Sequence, residues 1–179
     1  MNYDCSKCPV TLETFCEKDR SRFELEIPFR IGDWVYATDG RIAVRVWGPT
    51  YHGTVNDGGR FPAVEDLEWD ATVLEWGPVP SPEPCEACHE LRVRPYHYEY
   101  VDEEGYRSSE SDLNVLEPCK HCVVHIGGRT LRWWLVEPLT RFARDLQCGV
   151  SDDDADHPVH FRSSEMQALV MPLQQDDES

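Results

Sequence analysis

The fold is decided by residues 34–47, which read Trp34-Val35-Tyr36-Ala37-Thr38-Asp39-Gly40-Arg41-Ile42-Ala43-Val44-Arg45-Val46-Trp47. An Asp-Gly pair between two runs of strand-forming residues is a strong hairpin signal, because glycine readily adopts the backbone angles of a tight turn. We therefore predict one strand up to Ala37, a turn at Asp39-Gly40 and a returning strand over 41–47. Successive side chains of a strand point to opposite faces. In the returning strand, the side chains expected to face the core are Ile42, Val44 and Val46.

The segments around this hairpin carry weaker patterns. Residues 9–17 have the apolar spacing of a short helix, and 23–31 alternate like a strand interrupted by Pro28. The main helix is predicted within 130–146, and residues 102–114 are predicted to be an acidic loop. Further short strands are expected at 72–76, 96–101, 123–126, 159–161 and 168–171.

Composition and charge limit the classes of protein to consider. The 179 residues are 40% hydrophobic, which is enough for a core, and contain no apolar run long enough to span a membrane. The start of the chain shows no signal-peptide pattern, so we expect a cytoplasmic protein. The net charge of -17 opposes binding to nucleic acid and to anionic membranes. Two segments differ from the rest of the chain because their net charge is positive: +1 for residues 5–22 and +2 for residues 129–146. Ordinary solvated helix faces would explain both segments equally well.

Six of the eight cysteines fall into C-x-x-C pairs. Without an export signal, paired thiolates favour a metal site over disulfides. Two pairs of this kind suit tetrahedral zinc in a closed, structural site, with thirty residues between the pairs folding back on themselves. Redox-active dithiols or simple buried cysteines are the alternatives, and His89, His121 or His125 could replace one ligand. The predicted zinc ligands are Cys85, Cys88, Cys119 and Cys122.

A second metal site is a weaker prediction. Its candidate ligands are Cys5, Cys8, Cys16 and Cys148. Packing of cysteines in the core next to a short helix explains the same residues at least as well.

The sequence contains no recognisable catalytic motif, so we predict that the protein is not an enzyme. The acidic run over 151–157 lacks the glycine and the distal glutamate of a calcium loop. A solvated acidic loop is the better interpretation.

Two segments resemble bacterial DNA polymerase sliding clamps. Residues 35–44 are similar to the Ala-Thr-Asp-Gly segment of that family; they read Val-Tyr-Ala-Thr-Asp-Gly-Arg-Ile-Ala-Val. Residues 168–173 are similar to the family's carboxyl-terminal Val-Met-Pro segment; they read Ala-Leu-Val-Met-Pro-Leu. The resemblance implies an α+β fold, namely a single DNA-clamp-like module of two β-α-β units with antiparallel sheets. The module would comprise 1–77 and 123–173, with a zinc-ribbon-like insertion at 78–122 and a disordered tail at 174–179.

The resemblance also implies two functional surfaces. Partner proteins of clamps insert a short apolar peptide into a groove, which here would be lined by Thr38, Gly40, Arg41, Ile42, Val170, Met171, Pro172 and Leu173. The helices of clamps face double-stranded DNA and attract it weakly without reading its sequence. The corresponding DNA-facing residues would be Lys18, Arg20, Arg22, Arg129, Arg132, Arg141 and Arg144.

The leading prediction is therefore a non-enzymatic, zinc-binding, clamp-like docking factor in DNA replication or metabolism. A clamp ring needs six modules, so encirclement of DNA by this chain would require a homo-oligomer. The alternative is an acidic zinc-ribbon regulatory adaptor, or a DNA mimic, that captures a basic protein.

Overall fold

The computed structural model describes residues 10–17, 25–88, 93–101, 107–151, 154 and 156–173, and it describes their side chains except in 93–101 and 107–118. The central feature is a seven-stranded antiparallel sheet with the strand order β1-β2-β3-β11-β10-β9-β4. The strands are β1 (Phe29–Ile31), β2 (Trp34–Thr38), β3 (Ile42–Trp47), β4 (Gly77–Pro78), β9 (Gln147–Gly149), β10 (Val159–Arg162) and β11 (Met166–Val170).

The predicted hairpin is confirmed as β2 and β3, which pair through Ala37 and Val44. Gly40 has a φ of 87°, which explains the glycine in the turn. The alternation in β3 is also confirmed, because Ile42, Val44 and Val46 all belong to the main core. The same face of the sheet carries the only α-helix in the described part of the chain, α1 (Trp133–Phe142), and a 3-10 helix, Leu12–Phe15.

Six neighbouring strands of the sheet, in the order β1-β2-β3-β11-β10-β9, form two equivalent sets of three. A short helix followed by three strands occurs once as 12–15 with β1, β2 and β3, and again as α1 with β9, β10 and β11. The last strands of the two sets pair antiparallel at the centre, with Val44 opposite Ala168. The two helices meet across the centre of the sheet, where Phe15 and Phe142 make an edge-on ring contact at 5.7 Å. These six strands and two helices of the main sheet are therefore arranged with an approximate two-fold symmetry.

The opposite face of the sheet is covered as well. Ala43 and Leu169 point to this face and form a second core cluster with Tyr36, Val64 and Trp69. The last two belong to the connection between β3 and β4, which is wrapped over the sheet. Both faces of β2, β3 and β11 are therefore buried, which accounts for their near-continuous apolar sequence.

Two hairpins lie outside the main sheet. The first consists of β5 (Val93–Val101) and β6 (Arg107–Pro118), and the second of β7 (Val123–Ile126) and β8 (Arg129–Arg132). Gly127 and Gly128, with φ of 55° and 78°, form the turn between β7 and β8. None of the helices in the ranges described above is long and apolar enough to cross a bilayer.

Four secondary-structure predictions need correction. Residues 107–114 are not a loop but part of β6. A polar segment can pair in this way because the hydrogen bonds between strands come from the backbone. Residues 129–132 form a strand, and the helix is confined to 133–142, because the double-glycine turn folds the chain back onto β7. No strand forms at 72–76; the strand in this region is β4. In the predicted strand at 23–31, only Phe29–Ile31 pairs within the described residues.

Candidate metal centre and docking groove

The two central C-x-x-C pairs are placed by different kinds of local structure. Cys85 and Cys88 follow a proline-rich extended segment, and a 3-10 helix, Glu86–Cys88, turns the second thiol back toward the first. Cys119 and Cys122 lie in the turn between β6 and β7. The β5–β6 hairpin occupies the sequence between the pairs, so the predicted folding back of the intervening residues is confirmed. Closing this hairpin at its base brings the two pairs together.

The four-cysteine cluster has dimensions that suit a tetrahedral ion. All four thiols are buried, and their sulfur atoms lie within 4.8 Å of one another. The sulfur atoms of Cys85 and Cys119 are 3.7 Å apart, and those of Cys88 and Cys122 are 3.5 Å apart. Four thiolates at the Zn–S distance of about 2.3 Å stand about 3.8 Å apart in a regular tetrahedron. The cluster is thus compatible with a zinc site.

The thiols of the cluster also interact electrostatically. Burial acts to raise the pKa of Cys85, but hydrogen bonds from the Cys122 and Cys88 thiols outweigh it and lower the pKa to about 7. Burial raises the pKa of Cys119. One sulfur of the cluster therefore takes a negative charge readily, and a bound cation would extend this to the others. Four sulfurs leave no open coordination position, so the cluster suits a structural role and not a catalytic one.

The cluster is fastened to the rest of the protein through the start of α1. Trp133 packs against the four cysteines, and its backbone N–H donates to the Cys122 carbonyl at 2.8 Å. The Arg132 guanidinium donates to the Lys120 carbonyl at 2.7 Å. His121 and His125 are exposed, and His125 contacts Thr130 and Glu83 instead of the cluster. Among the described residues, sulfur atoms alone make up this candidate centre, and the third alternative ligand, His89, lies outside those residues.

The second set of cysteines does not form a described site. Cys5 and Cys8 lie outside the described residues. Cys16 follows the 3-10 helix packed on β2 and β3, whereas Cys148 is on β9, and β11 and β10 lie between those strands. Burial, aided by the charge of Glu13, raises the pKa of Cys16 to about 12, and burial raises that of Cys148 to about 11. Both thiols behave as small apolar side chains in the core.

A groove of about 430 Å³ lies beside the β2–β3 turn, and we call it the hairpin groove. It is lined by Glu17, Leu25, Thr38, Asp39, Gly40, Arg41, Ile42, Ala43, Pro62, Ala63, Val64, Leu67, Pro158, Leu169 and Met171. Of the predicted groove residues, it includes Thr38, Gly40, Arg41, Ile42 and Met171. Val170 does not line it, because this side chain points to the opposite face of the sheet and packs in the main core. Pro172 and Leu173 lie beyond it, where the Leu173 N–H donates to the Thr130 carbonyl.

Hydrogen bonds hold the turn at the groove in one shape. The Asp39 carboxylate accepts the backbone N–H groups of Arg41 and Ile42 at 2.9 and 3.0 Å. The Thr38 hydroxyl donates to the Ile42 carbonyl and accepts from Gly40. The Met171 N–H donates to the Arg41 carbonyl, which attaches the end of β11 to the same turn. The groove is therefore largely preformed.

Sequence reasoning missed one side of the groove. Pro62, Ala63, Val64 and Leu67, here called the wall segment (62–67), come from the β3–β4 connection. Trp69 anchors this segment, because its indole N–H donates to the Val64 carbonyl at 2.6 Å and its ring packs against Tyr36. The alternation of apolar and acidic residues in 61–69 is the only signal that could have suggested a half-buried wall.

The predicted DNA-facing arginines that the structure describes have different surroundings. Arg129 is only 2% exposed, and its guanidinium donates to the Asp154 carbonyl, so this prediction is wrong. Arg132 holds the second cysteine pair as described, and Arg141 is paired with Glu137 one helical turn earlier. Arg144 is exposed. The other three candidates, Lys18, Arg20 and Arg22, lie outside the described residues.

No protein-family model, curated protein or solved structure matches this chain. The likeness to sliding clamps therefore stays a prediction from two short motifs.

Proposed function

We propose that the protein is a non-enzymatic docking module whose hairpin groove binds a short apolar peptide of a partner protein, and whose four-cysteine cluster holds structural zinc. The hairpin groove carries this proposal. Its volume of about 430 Å³ lies within the usual range of ligand sites, and its floor is lined by apolar residues of the second core cluster such as Leu25 and Leu169.

Two side chains of the groove support a peptide as its ligand. Leu67 is 43% exposed and Met171 is 45% exposed, and because both line the groove they extend its apolar surface into solvent. A peptide that covered them would remove apolar surface from water, at about 25 cal/mol for each Å². Methionine adapts its shape to different partners, which suits a docking surface.

Zinc would supply stability and no chemistry. It would be held by the four cysteines and would join the end of the proline-rich segment to the turn before β7. A closed site of this kind contributes binding free energy directly to folding. A reducing compartment such as the cytoplasm is consistent with thiols that serve as metal ligands.

A role in DNA metabolism rests on the resemblance to sliding clamps, and the symmetric arrangement of the two sets of strands supports it. The family's module consists of two similar units, and each half of the sheet here has one helix and three strands on matching sides. Direct contact with DNA has less support, because Arg129 is buried and Arg141 is paired. Recruitment through a partner protein is the mode that we propose.

A peptide selection tests the docking proposal. A library of random twelve-residue peptides displayed on phage would be selected on the immobilised, zinc-loaded protein, and enriched peptides would be synthesised with a fluorescent label. We expect binding to fall at least tenfold in the variants Leu67→Glu and Met171→Glu, because each places a charge in the apolar groove.

The matched control is Leu74→Glu. Leu74 is 65% exposed and is not part of the hairpin groove, so this variant should bind like the wild type. Failure to enrich any peptide, or equal binding by all three variants, would refute docking at the groove.

A further inference from the structure

The hairpin groove has an acidic rim. Glu17 and Asp39 line one side. On the other side, Glu65 and Asp66 are exposed and lie in the wall segment between the lining residues Val64 and Leu67. Hydrogen bonds from two backbone N–H groups hold the Asp39 carboxylate in place. Two carboxylates thus line the groove, and two more lie exposed on the segment that forms its wall.

Few positive charges balance this rim. Arg41 is the only cation among the described lining residues, and its guanidinium lies against the Trp134 ring at 5.9 Å from the centroid. Residues 18–24 connect two lining residues, lie outside the described residues and carry a net charge of +1 in the sequence. The rim remains negative after both contributions, and the whole chain adds a field from a net charge of -17.

We propose that the groove selects apolar peptides that are flanked by lysine or arginine, that is, a docking segment taken from a basic protein. This inference rests on the proposed function and specifies the partner of the same site. The apolar side chains of such a peptide would pack on the floor near Leu25, Ala43 and Leu169. Its flanking cations would lie against the rim carboxylates, and the field of the protein would speed their encounter.

The charge pattern also disfavours peptides with acidic flanks. A peptide flanked by glutamate or aspartate would bring like charges within a few ångströms of the rim, which is unfavourable even where water screens it. Added salt weakens both the attraction of basic flanks and the repulsion of acidic flanks, because the Debye length falls from about 10 Å at 0.1 M to about 3 Å at 1 M.

Three matched peptides test the inference. The apolar core from the best selected peptide would be synthesised with Lys-Lys, Ser-Ser or Glu-Glu on both sides, and binding would be measured by fluorescence polarisation at 50 and 500 mM NaCl. We expect the lysine-flanked peptide to bind at least tenfold more tightly than the glutamate-flanked one at low salt. The ratio should approach one at high salt.

Two double variants separate the rim from the overall charge. Glu65→Gln with Asp66→Asn removes two rim charges, whereas Glu75→Gln with Glu165→Gln removes two exposed charges outside the groove. We expect the first variant to reduce the preference for lysine flanks severalfold and the second to leave it nearly unchanged.

The outcomes distinguish this inference from the proposed function. If the serine-flanked peptide binds the wild type and loses affinity in Leu67→Glu, but the flanks make no difference, the groove docks peptides and the charge inference is wrong. An equal reduction by both double variants would also overturn it, because the preference would then come from overall charge. If no peptide binds with any flank, the docking function itself fails.

Discussion

At the scale of single residues, the shape of the hairpin groove depends on a few side chains with unusual surroundings. Gly40 has a backbone conformation that other residues adopt at a cost. Arg45 is 7% exposed and lies between two indole rings, with its guanidinium carbon 4.4 Å from the Trp34 centroid and 4.7 Å from that of Trp69. The first residue shapes the turn, and the second fastens the wall segment to the sheet.

Replacing Gly40 with alanine should destabilise the protein by about 1–2 kcal/mol. The φ of 87° is the cause, because an added Cβ at this position meets no atom within 4 Å. The free energy of unfolding from urea titration measures the effect. Gly58→Ala is the control, since Gly58 also has open space around it and no positive φ. Equal free energies for the two variants would contradict the explanation.

Arg45→Met should lower the free energy of unfolding by about 1–3 kcal/mol and weaken peptide binding. Methionine retains an apolar stem between the two rings, but it loses the hydrogen bond to Gln167 at 2.6 Å and the contact with Asp70. Asp70 is itself largely exposed, so most of the loss should come from the rings and Gln167.

The comparison for this prediction is Arg162→Met. Arg162 also stacks on an indole, with its guanidinium carbon 3.9 Å from the Trp76 centroid, but it is exposed and contacts a single ring. Urea titration should show a loss below about 1 kcal/mol, and peptide affinity should not change. If the two arginines behaved alike, Arg45 would have no special role in holding the wall segment.

At the scale of elements, the four-cysteine cluster lies where the end of the proline-rich segment, the base of the β5–β6 hairpin and the start of α1 meet. It joins the base of the β5–β6 hairpin to α1, because the Cys122 carbonyl accepts the first N–H of the helix and Trp133 covers the sulfurs. The Glu83 backbone N–H also donates a hydrogen bond to the Val123 carbonyl, next to Cys122 in the sequence. The central strands β2, β3 and β11 have their own apolar contacts on both faces.

Native mass spectrometry should find one zinc ion per chain, and Cys88→Ser should lose it. A strong chelator should then increase hydrogen exchange mainly in residues 119–133, and less in β2, β3 and β11, because zinc bound to the four-cysteine cluster would stabilise residues 119–133. Cys16→Ala serves as the control, as this buried thiol lies outside the cluster and should not change the zinc content. A native protein without metal would refute the zinc site, and two ions would bring the amino-terminal cysteines into consideration.

At the scale of the whole molecule, the dominant property is the net charge of -17. Carboxylates repel one another across the surface, and folding brings them closer than they are in an extended chain. The predicted attraction of basic peptides and the reduced stability of the folded state thus have the same origin.

Salt should therefore stabilise the protein at neutral pH. Between 20 and 500 mM NaCl we expect the free energy of unfolding to rise by about 1 kcal/mol, or the melting temperature by about 2–4 °C. The same titration near the isoelectric point, at about pH 4.6, provides the control, because the net repulsion is then close to zero. A salt effect of equal size at both pH values would show that screening is not its cause.

The sequence by itself determined the features that depend on neighbours along the chain. The β2–β3 hairpin followed from an Asp-Gly pair between alternating strands, since the turn needs a residue that tolerates positive φ. The clustering of the four cysteines followed from their spacing, because a C-x-x-C turn directs two sulfurs to one side. The closing strands β10 and β11 were also located within one or two residues.

Only the tertiary structure decided the features that depend on contacts between distant residues. The wall segment lines the hairpin groove because Trp69 packs on β2 and stacks with Arg45, which no local pattern in 61–69 encodes. Arg129 resembles a surface cation in the sequence, yet the turn at Gly127-Gly128 places it inside against the Asp154 carbonyl. The polar sequence of β6 pairs with β5 through the backbone, which every residue except proline supplies equally. Burial and strand partners are set by the whole chain, and periodicity reports only which side chains share a face.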